Sequence, residues 1–390
     1  MANRSRRDFL LASSALTLAT QLPASLFSES AANPKRILVG SDTPNGILSF
    51  GWDAKTGALT PQEIAGVIPQ STWIDLSPDR RFLYVACELN EFEGKPSGSV
   101  ASFKMPAPGS GGKLTLLSNV QAHGKGTCHL NTDHTGRVVI CANYAGGTAA
   151  SFLSTNGKLS EAVWTETYQG YPGHGPVADR QEMAHAHFAC ISPDNRFVFI
   201  NDLGADKIHI YRIDVATGKL TPAGTFHSHP GAGPRTLHFH RNGHIAYCVN
   251  ELTKSVYVLA WHEQEPNFTI EQEVDLLPKG DPGTGSTACD AVLTRDGRFA
   301  YFANRGNDFL MSFRIDPASG KLAPLGSKPR TTCGGHIPRN FTLDPTERWM
   351  LVANQGSSNL TVIARNPETG ELADKGTNYP AATPMCIVFV

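Results

Sequence analysis

The chain has 390 residues and a formal charge of −1, with 34 basic against 35 acidic side chains. That balance excludes a broad basic surface for nucleic acid, and after residue 30 no run is long and apolar enough to span a bilayer. With 37 Gly, 26 Pro and 40% hydrophobic residues, the composition fits a turn-rich protein that can bury a sizeable core.

In chain order, the first segment is 1–32. Ser5-Arg6-Arg7-Asp8-Phe9-Leu10 sets a twin-arginine pair before a weakly apolar run, 10–22, and Ser30, Ala31 and Ala32 offer a cleavage site. This pattern predicts a twin-arginine export signal, a folded domain over 33–390, a periplasmic location and the export machinery as a partner. Residues 35–40 then read as the second strand of a unit that lacks its first. A repeat follows six times, at 73–86, 130–142, 188–201, 236–249, 290–303 and 340–353. Each copy is an apolar strand, a turn built on Pro, Asp or Gly, a basic residue, and a second apolar strand. The basic residues are Arg81, Arg137, Arg196, His244, Arg298 and Arg348, spaced 56, 59, 48, 54 and 50 residues apart.

Each copy runs on into two more strands. After Ala303 come a polar loop, 304–308, a third strand, 309–315, a turn, 316–320, and a fourth strand opening at Lys321-Leu322. The same turn recurs at 216–220 and 367–372, each with a Gly before a charged residue, as a hairpin needing positive φ requires. No helix pattern follows these glycines, so they do not read as phosphate loops. The tail, 383–390, matches a first strand without its second and completes the unit opened at 35–40. A period near 50 residues with four short strands per unit predicts an all-β, seven-bladed β-propeller closed by pairing of the N- and C-terminal strands.

Eight cysteines do not read as a disulfide framework. Cys141 and Cys248 fall in second strands, Cys190 in a first strand and Cys386 in the closing strand, where they resemble small buried apolar residues. There is no C-x-x-C pair for zinc or redox chemistry and no C-x-x-C-H for haem. Twin-arginine substrates fold in a reducing compartment before export, which favours free thiols.

Aligning the repeats locates a candidate site. Nine residues before each turn Arg or His, where the first strand opens, stand Thr72, Cys128, His187, Arg235, Cys289 and Arg339, with Met385 in the tail. Seven residues after it stand Glu88, Tyr144, Leu203, Glu251, Arg305 and Gln355. In an antiparallel pair these two positions meet at one edge, so both sets surround one mouth of the central channel. A scaffold position is filled alike in every blade, whereas these vary and several are ionisable. His187, Glu251, Arg235, Arg305 and Arg339 converge there, and the excess of Arg over carboxylate suits an anionic ligand. A Glu and a His together can also move protons near neutrality. Glu88, at the equivalent loop position of another blade, is expected to be a bystander. His185 and His187 stand on alternate positions of one strand, but no Asp or Glu completes a ligand set, so no metal or cofactor is expected. His238 and His240 are expected to line the first strand of their blade.

Several segments resemble one family: 183–191 (MAHAHFACI), 201–204 (NDLG), 231–240 (GAGPRTLHFH), 249–252 (VNEL), 336–344 (HIPRNFTLD) and 352–355 (VANQ). They are similar to the seven-bladed lactonase family, which includes bacterial 6-phosphogluconolactonases and the fungal carboxymuconate cyclase. The resemblance implies catalytic roles for His187, Arg235, Glu251 and Arg305. With it, Arg339, His185, Gln355 and Tyr144 are expected to bind substrate. The implied activity is metal-independent hydrolysis of a small anionic lactone, or its reverse, cyclisation. A non-enzymatic exported propeller binding an anion or a protein at the same mouth is the alternative reading.

Overall fold

A computed structural model describes residues 35–390 apart from 108, 278 and 279. The expected export signal lies outside the described residues. Among those described there is no helix, and the strands form seven antiparallel sheets. The first blade is composite: Pro384–Phe389 is its inner strand and pairs with Arg36–Ser41, which continues to Leu48–Asp53 and Ala58–Pro61. The inner strands of the second to seventh blades are Ser71–Leu76, Thr127–Thr132, Ala186–Ile191, Pro234–Phe239, Thr287–Leu293 and Pro338–Leu343. Seven blades and closure by the terminal strands therefore match the expectation from sequence. The sixth blade departs from the four-strand plan, its outer edge being shared by Leu322–Pro324 and Arg330–Thr332.

The recurring turn has a physical basis visible in its hydrogen bonds. Ser77, Ser192 and Thr294 each present a side-chain hydroxyl to the backbone N–H that restarts the chain, at Phe82, Phe197 and Phe299. An Asp two residues on accepts from that hydroxyl and pairs with the turn Arg, at 2.6 Å for Arg81–Asp79, 2.5 Å for Arg196–Asp194 and 2.6 Å for Arg298–Asp296. In the third and seventh blades the order is exchanged: Asp133 and Asp344 accept the backbone N–H groups and take Thr135 and Thr346 as hydroxyl donors. Either order stops the hairpin at the same residue. The other hairpin behaves as predicted, with Gly218, Gly320 and Gly370 at φ of 72°, 72° and 81°.

Apolar cores lie between neighbouring blades. One joins Phe188, Phe197 and Phe199 of the fourth blade to Tyr257, Trp261 and Phe268 of the fifth. The closing blade packs likewise, with Trp52 edge-on to Phe389 at 5.4 Å and Ile387 beside Leu351 of the seventh. All eight cysteines are buried, as their positions suggested, and burial pushes the thiols of Cys87, Cys141, Cys190 and Cys386 up to about 12.

Candidate active site

Every inner strand is interrupted where it opens. The pairing skips one residue between Ser71 and Trp73, Thr127 and His129, Ala186 and Phe188, Pro234 and Thr236, and Pro338 and Asn340. The sixth blade slips between Ala288 and Ala291, and the first between Cys386 and Pro384. The extra residues are Thr72, Cys128, His187, Arg235, Arg339 and Met385, with Cys289 and Asp290 in the sixth blade. A β-bulge frees one residue from the ladder and re-aims its side chain. Thr72, Cys128, His187, Arg235, Arg339 and Met385 line one cavity in the channel. The ring picked out by sequence is thus a ring of bulges.

The same cavity is lined by aromatic side chains one residue further along three of these strands. Trp73 lies 4.2 Å from the His129 ring and His129 stacks on Phe188 at 3.8 Å, three residues from three successive blades.

At the mouth, Glu251 is the hub. One carboxylate oxygen, Oε2, is 2.9 Å from Arg235 Nε and 2.9 Å from Arg305 Nη2. The other, Oε1, is 2.6 Å from Arg180 Nη2. Arg235 Nη1 also donates to the Cys289 carbonyl, and Arg305 Nε donates to Thr287 Oγ1 at 3.1 Å. This leaves Arg235 Nη2 and Arg305 Nη1 without protein partners among the described residues. Burial raises the cost of charge on Glu251, but Arg305, Arg235 and Arg180 outweigh it and hold the carboxyl well below the usual carboxylate range. His187 is buried, its Nδ1 has no hydrogen-bond partner, and burial together with Arg235 keeps the imidazole neutral.

Of the residues expected at the site, His187, Arg235, Glu251 and Arg305 are brought together, and Tyr144 joins them through its hydroxyl, 3.2 Å from Arg180 Nη2. His185 lies one step out. It stacks on Tyr144 at 4.3 Å, with Nδ1 2.9 Å from the Tyr144 carbonyl and Nε2 3.0 Å from Glu182. The bulge at His187 breaks the alternation expected between the two histidines. Gln355 occupies the equivalent loop of the seventh blade, where its N–H donates to Ile337, but no polar contact joins its side chain to the cluster among the described residues. His238 lines its strand as expected and lies 2.9 Å from Asp290. Glu88, expected to be a bystander, lies 3.8 Å from Arg339 Nη2, the second and seventh blades flanking the first, with both side chains partly exposed.

Arg180 was not reached by sequence reasoning. It stands on the connector 168–185 between the third and fourth blades, the longest blade-to-blade connector bounded by the strands. Length was the available signal, since a long connector in a compact fold is usually functional. The connector is tied down by Tyr171 to Asp206 at 2.7 Å and by Gln181 to the Leu203 carbonyl at 3.1 Å.

The profile of the seven-bladed β-propeller lactonases matches residues 36–389. The chain belongs to that family. Among its relatives, a 6-phosphogluconolactonase of Bacillus subtilis is 32% identical over 347 residues, covering 88% of this chain and 94% of the relative. One from Formosa agariphila is 31% identical over 347 residues, covering 86% and 94%. Among solved structures, the periplasmic gluconolactonase of Pseudomonas aeruginosa superposes with a TM-score of 0.83 at 32% identity, covering 91% of this chain and 98% of that one. Membership makes the chain an enzyme of the lactonase class, and no helix among its described residues is long and apolar enough to cross a membrane.

Proposed function

We propose that the mouth hydrolyses a sugar-derived lactone, with preference for one bearing a phosphate or carboxylate. The observation that carries this reading is a buried Glu251 next to a neutral His187, both beside guanidinium groups with unengaged nitrogens. Arg235 and Arg305 point donors at charge that grows on the carbonyl oxygen as the ring carbon becomes tetrahedral. Glu251 takes a proton from water while the water oxygen bonds to the carbonyl carbon. Collapse of that adduct breaks the ring C–O bond, and the proton passes to the leaving ring oxygen to give a hydroxy acid. His187, neutral and lining the cavity, orients the water or relays the proton. Arg339, partly exposed and, among the described residues, opposed by Glu88 at 3.8 Å, supplies further attraction for an anion. None of these steps uses a metal, and among the described residues no three His, Cys, Asp or Glu side chains form a ligand set.

The relatives' names support a six-carbon aldonolactone as the substrate type, and the twin-arginine pattern at Arg6 and Arg7 supports action in the periplasm. The test is acid release at neutral pH from a panel of lactones, with and without chelator. Hydrolysis unaffected by chelator and abolished in both Glu251→Gln and His187→Asn is the expected result. Full turnover in both variants would reduce the mouth to a binding surface.

A further inference from the structure

Glu251 poses a difficulty for its own role. A carboxylate held by three guanidinium groups is a poor acceptor for a proton. The three contacts are unequal, however. Arg235 and Arg305 share Oε2, come from strands and are nearly buried, with side chains 4% and 13% exposed. Arg180 alone holds Oε1, comes from a connector, and has a side chain 31% exposed. Its Nη2 also contacts the Tyr144 hydroxyl, which offers the guanidinium a partner when it leaves Glu251.

We propose that Arg180 is a latch released by substrate: an anionic group on the lactone draws its guanidinium away from Glu251 Oε1, and the freed oxygen then accepts the proton from water. This rests on the lactonase reading above and adds selectivity to it. A neutral lactone offers Arg180 nothing better than Glu251, so the base stays latched. An anionic lactone supplies the competing charge and arms the site as it binds. The groups facing Glu251 are Arg235, Arg305 and His187 from the blades and Arg180 from the connector, with Tyr144 beside the latter; the Arg180 contact is the shortest, a 2.6 Å hydrogen bond, but it is the one made from outside the blades by the most exposed of the three side chains.

The test compares wild type with Arg180→Met and Arg180→Lys on 6-phosphoglucono-δ-lactone and on uncharged glucono-δ-lactone. Removing the latch deletes an anion partner, so KM for the phosphorylated lactone rises tenfold or more, on the order expected for one lost charged contact, and Lys restores part of it. On glucono-δ-lactone kcat rises several-fold. Loss of one cation raises the pKa of Glu251, so the acid limb of kcat/KM moves to higher pH. In the wild type, the acid limb of kcat on the phosphorylated lactone lies above that of kcat/KM. Equal losses on both lactones, or an acid limb that does not move, would overturn the latch. Binding is measured separately by calorimetry with glucose 6-phosphate and glucose. Arg180→Met weakens the first tenfold or more and leaves the second alone; equal affinity of both proteins for glucose 6-phosphate, or none in either, also overturns the proposal. If the wild type hydrolyses no lactone, the enzymatic reading fails and the binding result alone decides whether Arg180 receives the anion. Should Arg180→Met not fold, Arg180→Gln, likewise uncharged, carries the same comparisons.

Discussion

Glu251 is both the proposed base and the counter-charge that makes a cluster of buried arginines tolerable. Glu251→Gln keeps size and shape, so it tests the charge alone. Turnover should fall about a hundredfold if the carboxylate takes the proton. Stability should fall too, on the order of 3 kcal/mol, because Arg235 and Arg305 lose their buried partner. Urea denaturation beside steady-state kinetics separates the two effects, and a variant as stable as wild type would show that the arginines do not depend on this carboxylate. The acid side follows the same logic. Glu251 is held below its unfolded pKa, so its contribution is complete above the ordinary carboxylate range and is lost only as pH falls toward the depressed value. Glu88→Gln is the instructive companion. It releases Arg339, so it should alter affinity for an anionic lactone, measured as KM, whereas a silent variant would mean that the 3.8 Å contact carries nothing.

At the scale of the element, the composite blade is the most exposed to disruption. Deleting residues 383–390 removes the inner strand that pairs with Arg36–Ser41 and with it Ile387 and Phe389 from the core shared with the seventh blade. The truncated protein should melt several degrees lower, since the roughly 3–5 kcal/mol lost with a buried aromatic alone corresponds to about 4–7 °C in a domain of this size and the lost strand pairing adds to it. Thermal unfolding followed by circular dichroism checks it. The strands and turns were legible because a repeat shows each rule six times over: the turn Arg, the Gly at positive φ and the opening position of the first strand could each be compared with its copies. The site was legible where it shares that frame, at His187, Arg235, Glu251 and Arg305. Arg180 was not, because its connector has no counterpart to align. The Glu88–Arg339 contact was not either, since it joins blades that are distant in sequence and meet only when the ring closes.

At the scale of the whole molecule, a buried carboxyl on an inner strand couples stability to pH. Asp75 follows Trp73 on the same face of its inner strand, and burial pushes its carboxyl up to about 7. Its folded pKa exceeds the unfolded value, so the native state binds the extra proton between about 4 and 7 and stability declines as pH rises through that window. Asp75→Asn should therefore raise the melting temperature at pH 8 and leave it nearly unchanged at pH 4. A gain of the same size at both values would point to packing instead. Location is tested at the other end of the chain: Arg6→Lys together with Arg7→Lys should leave a precursor in the cytoplasm, and normal arrival in the periplasm would remove the twin-arginine reading.

The bulges at the opening of every inner strand separate what the ring is made of from what it presents. A side chain at Thr72, Cys128 or Met385 takes no part in the hydrogen-bond ladder and can be exchanged without asking the sheet to repair itself. The mouth behaves as a dial with one setting per blade, and a guanidinium can be moved by a seventh of a turn through a single codon. A change of anion contact at the inner ring therefore asks for one substitution there, while the connector that carries Arg180 can vary independently of it.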